Sequence, residues 1–79
     1  MNLNAYKKIF QKSLSLKKNT KVEKLKYESI PEWDSIGHMS LIAALEEKCK
    51  ISFKTDDIIN FSSFEKGIKI LNKYKIYIK

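Results

Sequence analysis

Leu3, Tyr6, Ile9, Phe10 and Leu14 recur at spacings of three and four, with Lys7, Lys8 and Lys12 off that stripe, which predicts an amphipathic helix from Asn2 to Leu16. Residues 17–34 show no sustained period and include Pro31, so a long connection follows. Val22, Leu25, Tyr27, Ile30 and Trp33 are spread along it and can pin it to the helices beneath. Leu41, Ile42, Leu45 and Cys49 then form a second stripe. With Asp34 or Ser35 able to cap it, a helix from Ser35 to Lys50 is expected. Thr55-Asp56-Asp57 opens a short helix with acids at its positive end. Ser62-Ser63-Phe64-Glu65 has the pattern of a capping box, and Phe64, Ile68 and Leu71 supply the buried stripe of a last helix. Gly67 lets that helix approach a neighbour closely at a small propensity cost. Tyr74 to Lys79 is rich in strand formers and either ends the helix or frays; the pattern leaves both open. The expected fold is all-α: a single domain over residues 1–79, a four-helix bundle of three main helices and one short one, with a long loop between the first two.

At 79 residues and 43% hydrophobic content the chain suffices for one small domain and is too apolar for a disordered tail. Its longest apolar run, Leu41 to Leu45, is far short of a membrane span, and Met1 to Lys8 lacks the apolar block of a signal peptide. Cys49 is the only cysteine, so no internal disulfide forms and a reducing cytoplasm fits. It reads as a small core hydrophobe rather than a reactive thiol. One His and one Cys do not make a metal cage.

The net charge of +7 suggests nucleic acid, but all sixteen cations are Lys. Without guanidinium forks, direct reading of guanine or phosphate is weakened. The charge is also segregated. Residues 1–30 carry eight Lys against Glu23 and Glu28, and residues 62–79 five Lys against Glu65. Residues 31–61 hold Glu32, Asp34, Glu46, Glu47, Asp56 and Asp57 against Lys48, Lys50 and Lys54. The middle third is therefore acidic in a basic chain. A basic helical module for nucleic acid or an anionic surface is the alternative reading of the composition.

Ser35 and His38 are three apart on the second helix, which suggests a nucleophile and a base. No second His and no evident orienting acid complete the set, and the nucleophile-elbow pattern is absent, so a hydrolase is not expected. Gly37 alone makes no phosphate loop. Ser35 has a different asset: it lies where a long loop becomes a helix, beside backbone N–H groups that favour a phosphate. A serine there can carry a covalent phosphoester whose chemistry belongs to the attached group, though an ordinary serine cap has the same position.

The string Trp33-Asp34-Ser35-Ile36-Gly37-His38-Met39-Ser40-Leu41-Ile42, followed by Leu45-Glu46-Glu47, resembles the acyl carrier protein family, in which Asp-Ser-Leu or Asp-Ser-Ile opens the second of four helices. Thr55-Asp56-Asp57-Ile58 is similar to the short third helix, and Phe61 to Glu65 to the start of the fourth, so the pattern covers residues 30–71. The resemblance implies a non-enzymatic carrier. A 4′-phosphopantetheine arm from coenzyme A would be attached to Ser35 by a separate phosphopantetheinyl transferase, which supplies Mg²⁺ and the base. The arm's thiol would hold an acyl or aminoacyl group as a thioester for loading and transfer enzymes. It further implies that Asp34 presents Ser35 to the transferase and that Ile36 and Met39 offer apolar contacts to partners. Glu46, Glu47, Asp56 and Asp57 would form an acidic surface that steers basic partners. The expected molecule is a cytoplasmic monomer. The fatty-acid carriers of this family are strongly acidic soon after the serine, where this chain has Gly37, His38 and Ser40. The Trp-Asp-Ser-Ile-Gly-His string is more similar to stand-alone carriers of dedicated pathways.

Overall fold

A computed structural model describes residues 1–79. Asn2 opens α1 (Leu3–Ser13) by accepting the Ala5 N–H on its side chain at 2.8 Å. Tyr6, Phe10 and Leu14 of the expected stripe are buried, whereas Ile9 is half-buried and Leu3 exposed. The helix stops three residues earlier than its hydrophobic pattern. Ser15 takes the left-handed conformation (φ 52), Ser15 N–H donates to the Lys12 carbonyl at 3.4 Å, and Leu16 N–H to that of Gln11 at 2.9 Å. These are the paired bonds of a Schellman ending.

Residues 17–34 form the expected long connection, interrupted by a 3-10 turn at Val22–Lys24. Val22, Leu25 and Trp33 are buried and hold it down, with Ile30 half-buried and Tyr27 more open. Its backbone is also tied to the start of the last helix: Tyr27 N–H donates to the Ser62 carbonyl at 2.8 Å, and Phe64 N–H to that of Leu25 at 3.0 Å.

Helix α2 (Ser35–Cys49) starts where expected and buries Leu41, Ile42 and Leu45, with Cys49 half-buried against the core. Lys50 lies outside it, left-handed (φ 56), and Ile51 N–H reaches back to the Glu46 carbonyl at 3.1 Å. Burial raises the Cys49 thiol above its ordinary pKa, away from thiolate reactivity. Helix α3 (Thr55–Asn60) has no side-chain cap; Thr55 is its first helical residue. Helix α4 (Phe64–Lys73) is capped by Ser63, whose hydroxyl accepts from Lys66 N–H at 2.9 Å. The capping box anchored on Ser62 is thus displaced by one residue, which moves Glu65 to the second helical position. Helix α4 buries Phe64, Gly67, Ile70 and Leu71, while Ile68 is half-buried.

The tail does not continue α4. Lys75 is left-handed (φ 63), and Ile76 N–H donates to the Leu71 carbonyl at 3.0 Å. Residues beyond it run beside the N-terminus, with Leu3 N–H donating to the Lys79 carbonyl at 2.8 Å and Lys79 N–H to that of Met1 at 3.2 Å. No strand is formed; Lys26 and Ser63 make one isolated bridge. The architecture is the expected small all-α domain of four helices.

Aromatic rings fill the centre. Phe10 packs edge-on to Tyr6 at 5.0 Å and to Trp33 at 5.4 Å, and Tyr6 lies 4.6 Å from Phe64. The Tyr6 hydroxyl donates to the Phe64 carbonyl at 2.8 Å, and burial pushes its pKa far up. A Cβ on Gly67 would stand 2.3 Å from both Phe61 Cζ and the Tyr6 hydroxyl, so only glycine admits α4 to this cluster. No buried side-chain polar atom lacks a partner. No helix is long and apolar enough to cross a membrane.

Candidate functional site

Ser35 is the first residue of α2 and is exposed. Asp34, not Ser35, is the cap: its Oδ1 accepts Gly37 N–H at 2.8 Å, and its carbonyl accepts His38 N–H at 2.8 Å. This division of labour leaves the Ser35 hydroxyl free of any bond within the chain. The first N–H groups of a helix have no intrahelical acceptor, so those of Ser35 and Ile36 stand open beside that hydroxyl.

Gly37 sets the shape of the turn. A Cβ there would lie 2.1 Å from the Glu32 carbonyl oxygen and 3.0 Å from Leu14 Cδ2. The loop therefore crosses directly over the start of α2, against the end of α1. This close approach is the reason for a glycine three residues after the cap, and no phosphate loop is involved.

His38 is half-buried and does not face Ser35 as a base. Its Nδ1 receives the indole N–H of Trp33 at 3.0 Å, and its Nε2 lies 2.8 Å from the Ile58 carbonyl. An indole N–H only donates, so Nδ1 is the acceptor and the ring proton sits on Nε2, directed at Ile58. Both nitrogens are engaged. The imidazole bridges the long connection to α3 across α2, flanked by Tyr27 at 5.3 Å and Phe61 at 6.1 Å. Its bridging role was hidden in the sequence, because neither Trp33 nor Ile58 is its helical neighbour.

Around Ser35 the surface is apolar. Ile36 is 77% exposed and Met39 55%, and Ile59 of α3 is 70% exposed. Ile59 lines a depression with Tyr27, His38, Ile58, Phe61 and Ser62, which meets α2 at His38.

The acidic surface is narrower than the resemblance implies. Asp57 is only 4% exposed; Lys73 Nζ donates to its Oδ1 at 2.7 Å and the Tyr74 hydroxyl to its Oδ2 at 2.6 Å. These bonds, that from Lys73 first, hold its pKa below the usual carboxylate value. Glu46 is half-buried, and its Oε2 accepts Phe53 N–H at 2.9 Å, tying down the connection after α2. Each carboxylate faces inward because a backbone or side-chain donor needs it. Glu47 and Asp56 are exposed. Glu47 lies among Lys8, Lys12, Lys48 and Lys50 rather than in an acidic field. No cluster of three His, Cys, Asp or Glu residues suited to a metal ion exists.

The geometry therefore brings Asp34, Ser35, Ile36 and Met39 together at one helix start and leaves Glu46 and Asp57 as structural carboxylates. Comparison with protein-family models, with curated proteins and with solved structures finds no match to this chain.

Proposed function

We propose that the chain is a non-enzymatic carrier whose attachment point for a 4′-phosphopantetheine arm is Ser35. The observation that carries this reading is the exposed, unbonded Ser35 hydroxyl at the first position of a helix whose capping task is taken by Asp34. A free phosphate would meet the Asp34 carboxylate at the same helix end. A phosphoester installed by another enzyme is held there by a covalent bond instead, with the open N–H groups of Ser35 and Ile36 beside it.

These residues fit the group. Ser35 supplies the oxygen, and Asp34 and Gly37 keep that oxygen outside the fold. Ile36 and Met39, on the same helix start, give a partner an apolar surface next to the attachment point. When bound, the arm supplies a thiol on which an acyl or aminoacyl cargo rides as a thioester. The engagement of both His38 nitrogens supports a carrier over a hydrolase, since no general base faces the serine. A phosphopantetheinyl transferase and acyl-loading and transfer enzymes are the partners this function requires, and a cytoplasmic setting suits the supply of coenzyme A.

The test is to incubate the apo protein with coenzyme A, Mg²⁺ and a broad-specificity transferase and to weigh it intact. Gain of one arm, abolished in Ser35→Ala, is the expected result. No gain, or an undiminished gain in Ser35→Ala, rejects the proposal.

A further inference from the structure

Helices α1 and α2 run antiparallel: Leu14 lies over Gly37, whereas Ala5 and Ile9 share a groove with Ala44 and Lys48. Ala5, Ile9 and Ala44 are half-buried and make an apolar floor. Exposed Lys8 and Lys12 rise on the α1 side, Lys48 and Lys50 on the α2 side, and Glu47 is the one acid among them. The protein's two ion pairs, Lys7 with Glu23 and Lys73 with Asp57, engage none of these four lysines. With four lysines against one carboxylate, the groove carries net positive charge along both rims. At 1.5 Å per residue, Ala44 and Lys48 lie roughly 14 to 20 Å along α2 from Ser35, so the groove is separate from the attachment point.

We infer that this groove docks an acidic amphipathic helix of a partner protein, its apolar stripe on Ala5, Ile9 and Ala44 and its carboxylates against the lysines of both rims. A third helix laid along two antiparallel ones has the shape of the groove, and alanines in the floor let its backbone come close. Point-charge ammonium groups suit carboxylates dispersed along a helix better than planar bidentate recognition. A bilayer is a poorer occupant, because nothing in the floor protrudes to enter hydrocarbon. Duplex nucleic acid is poorer too, since the lysines line a hollow rather than a ridge able to enter a groove.

The probe is a synthetic helical peptide with Leu and Ala at i, i+3, i+4 and i+7 and Glu on both flanks, titrated calorimetrically into the full chain. The expected result is binding at about 50 mM salt that weakens at about 200 mM. Changing Lys8, Lys12, Lys48 and Lys50 together to Gln should weaken it roughly tenfold or more. Removing the same charge elsewhere, by Lys17, Lys18, Lys66 and Lys69 to Gln, should have a much smaller effect, and Ser35→Ala none. Circular dichroism verifies folding, and the four single Lys→Gln variants replace the quadruple one should it unfold. Equal weakening by the two quadruple variants reduces the effect to net charge and overturns the inference. So does absence of binding at low salt, or tighter binding of duplex DNA or phosphatidylglycerol vesicles through the same four lysines.

Discussion

The indole of Trp33 donates its N–H to Nδ1 of His38 at 3.0 Å, which leaves the imidazole only one way to meet the Ile58 carbonyl, through a proton on Nε2. Trp33 is fully buried, so its N–H has no water to turn to if the acceptor is lost. An unsatisfied buried donor costs about 1–3 kcal/mol. His38→Ala should destabilise the protein by about that amount, read by urea denaturation. Nitrogen NMR of the wild-type imidazole should report the Nε2–H form at neutral pH; the opposite tautomer contradicts the bridge.

Gly37 admits no side chain without moving backbone, because the obstructing atom is the Glu32 carbonyl oxygen at 2.1 Å. Gly37→Ala should lose about 1–3 kcal/mol, the range of overpacked sites, despite alanine's better helix propensity. On the proposed function it should also slow attachment of the arm to Ser35, since the loop it displaces shapes that turn. A gain in melting temperature would show that the loop yields freely.

Three helix ends share an uncommon residue choice. Ser15, Lys50 and Lys75 all have positive φ, at 52°, 56° and 63°, where glycine is the usual occupant. An L side chain is strained there by about 1–2 kcal/mol, partly offset by the extra chain entropy glycine loses on folding. Each of Ser15→Gly, Lys50→Gly and Lys75→Gly should stabilise by about 0.5–1 kcal/mol. Thermal denaturation of the triple variant checks this, with a rise of roughly 4–8 °C per kcal/mol for a domain this size.

Asp57 predicts the pH response. Hydrogen bonds from Lys73 and Tyr74 lower its folded pKa, so its stabilisation is present above its unfolded value of about 3.9 and is lost as pH falls through the folded value. Lys73 is raised, chiefly by the bond to Asp57, so its contribution holds below its unfolded value of about 10.4 and fades as pH climbs through the folded one. Asp57→Asn should therefore be less stable than wild type by a constant margin across neutral pH. The two should converge below about pH 4 as wild type loses its advantage. Denaturation midpoints measured across that range test it; a margin that persists in acid argues against the pair.

The four helices were legible because each carries an apolar stripe longer than two turns or a polar residue at its start. The end of α2 was legible to within one residue, but α1 was overrun by three and the end of α4 was left open, since the stop residues there are Ser15 and Lys75 rather than glycine. Leu14 and Leu16 extend the apolar pattern past the true end of α1. Asp34, Ser35, Ile36 and Met39 were readable at the site because position on a helix start decides exposure. Glu46 and Asp57 misled for the opposite reason: their orientation is set by Phe53, Lys73 and Tyr74, which lie seven to seventeen residues away. The link from Trp33 to His38 was invisible because an aromatic pair five apart reads as unrelated in both helix and loop.

Trp33 is the chain's single tryptophan, and it stands two positions from Ser35 with its indole N–H bonded to His38. Its emission is therefore a built-in optical gauge of the turn that displays the serine. On the proposed function, a covalent adduct at Ser35 or a protein docked on that turn would change the surroundings of the indole, which makes the test of attachment readable in real time with no dye on the molecule.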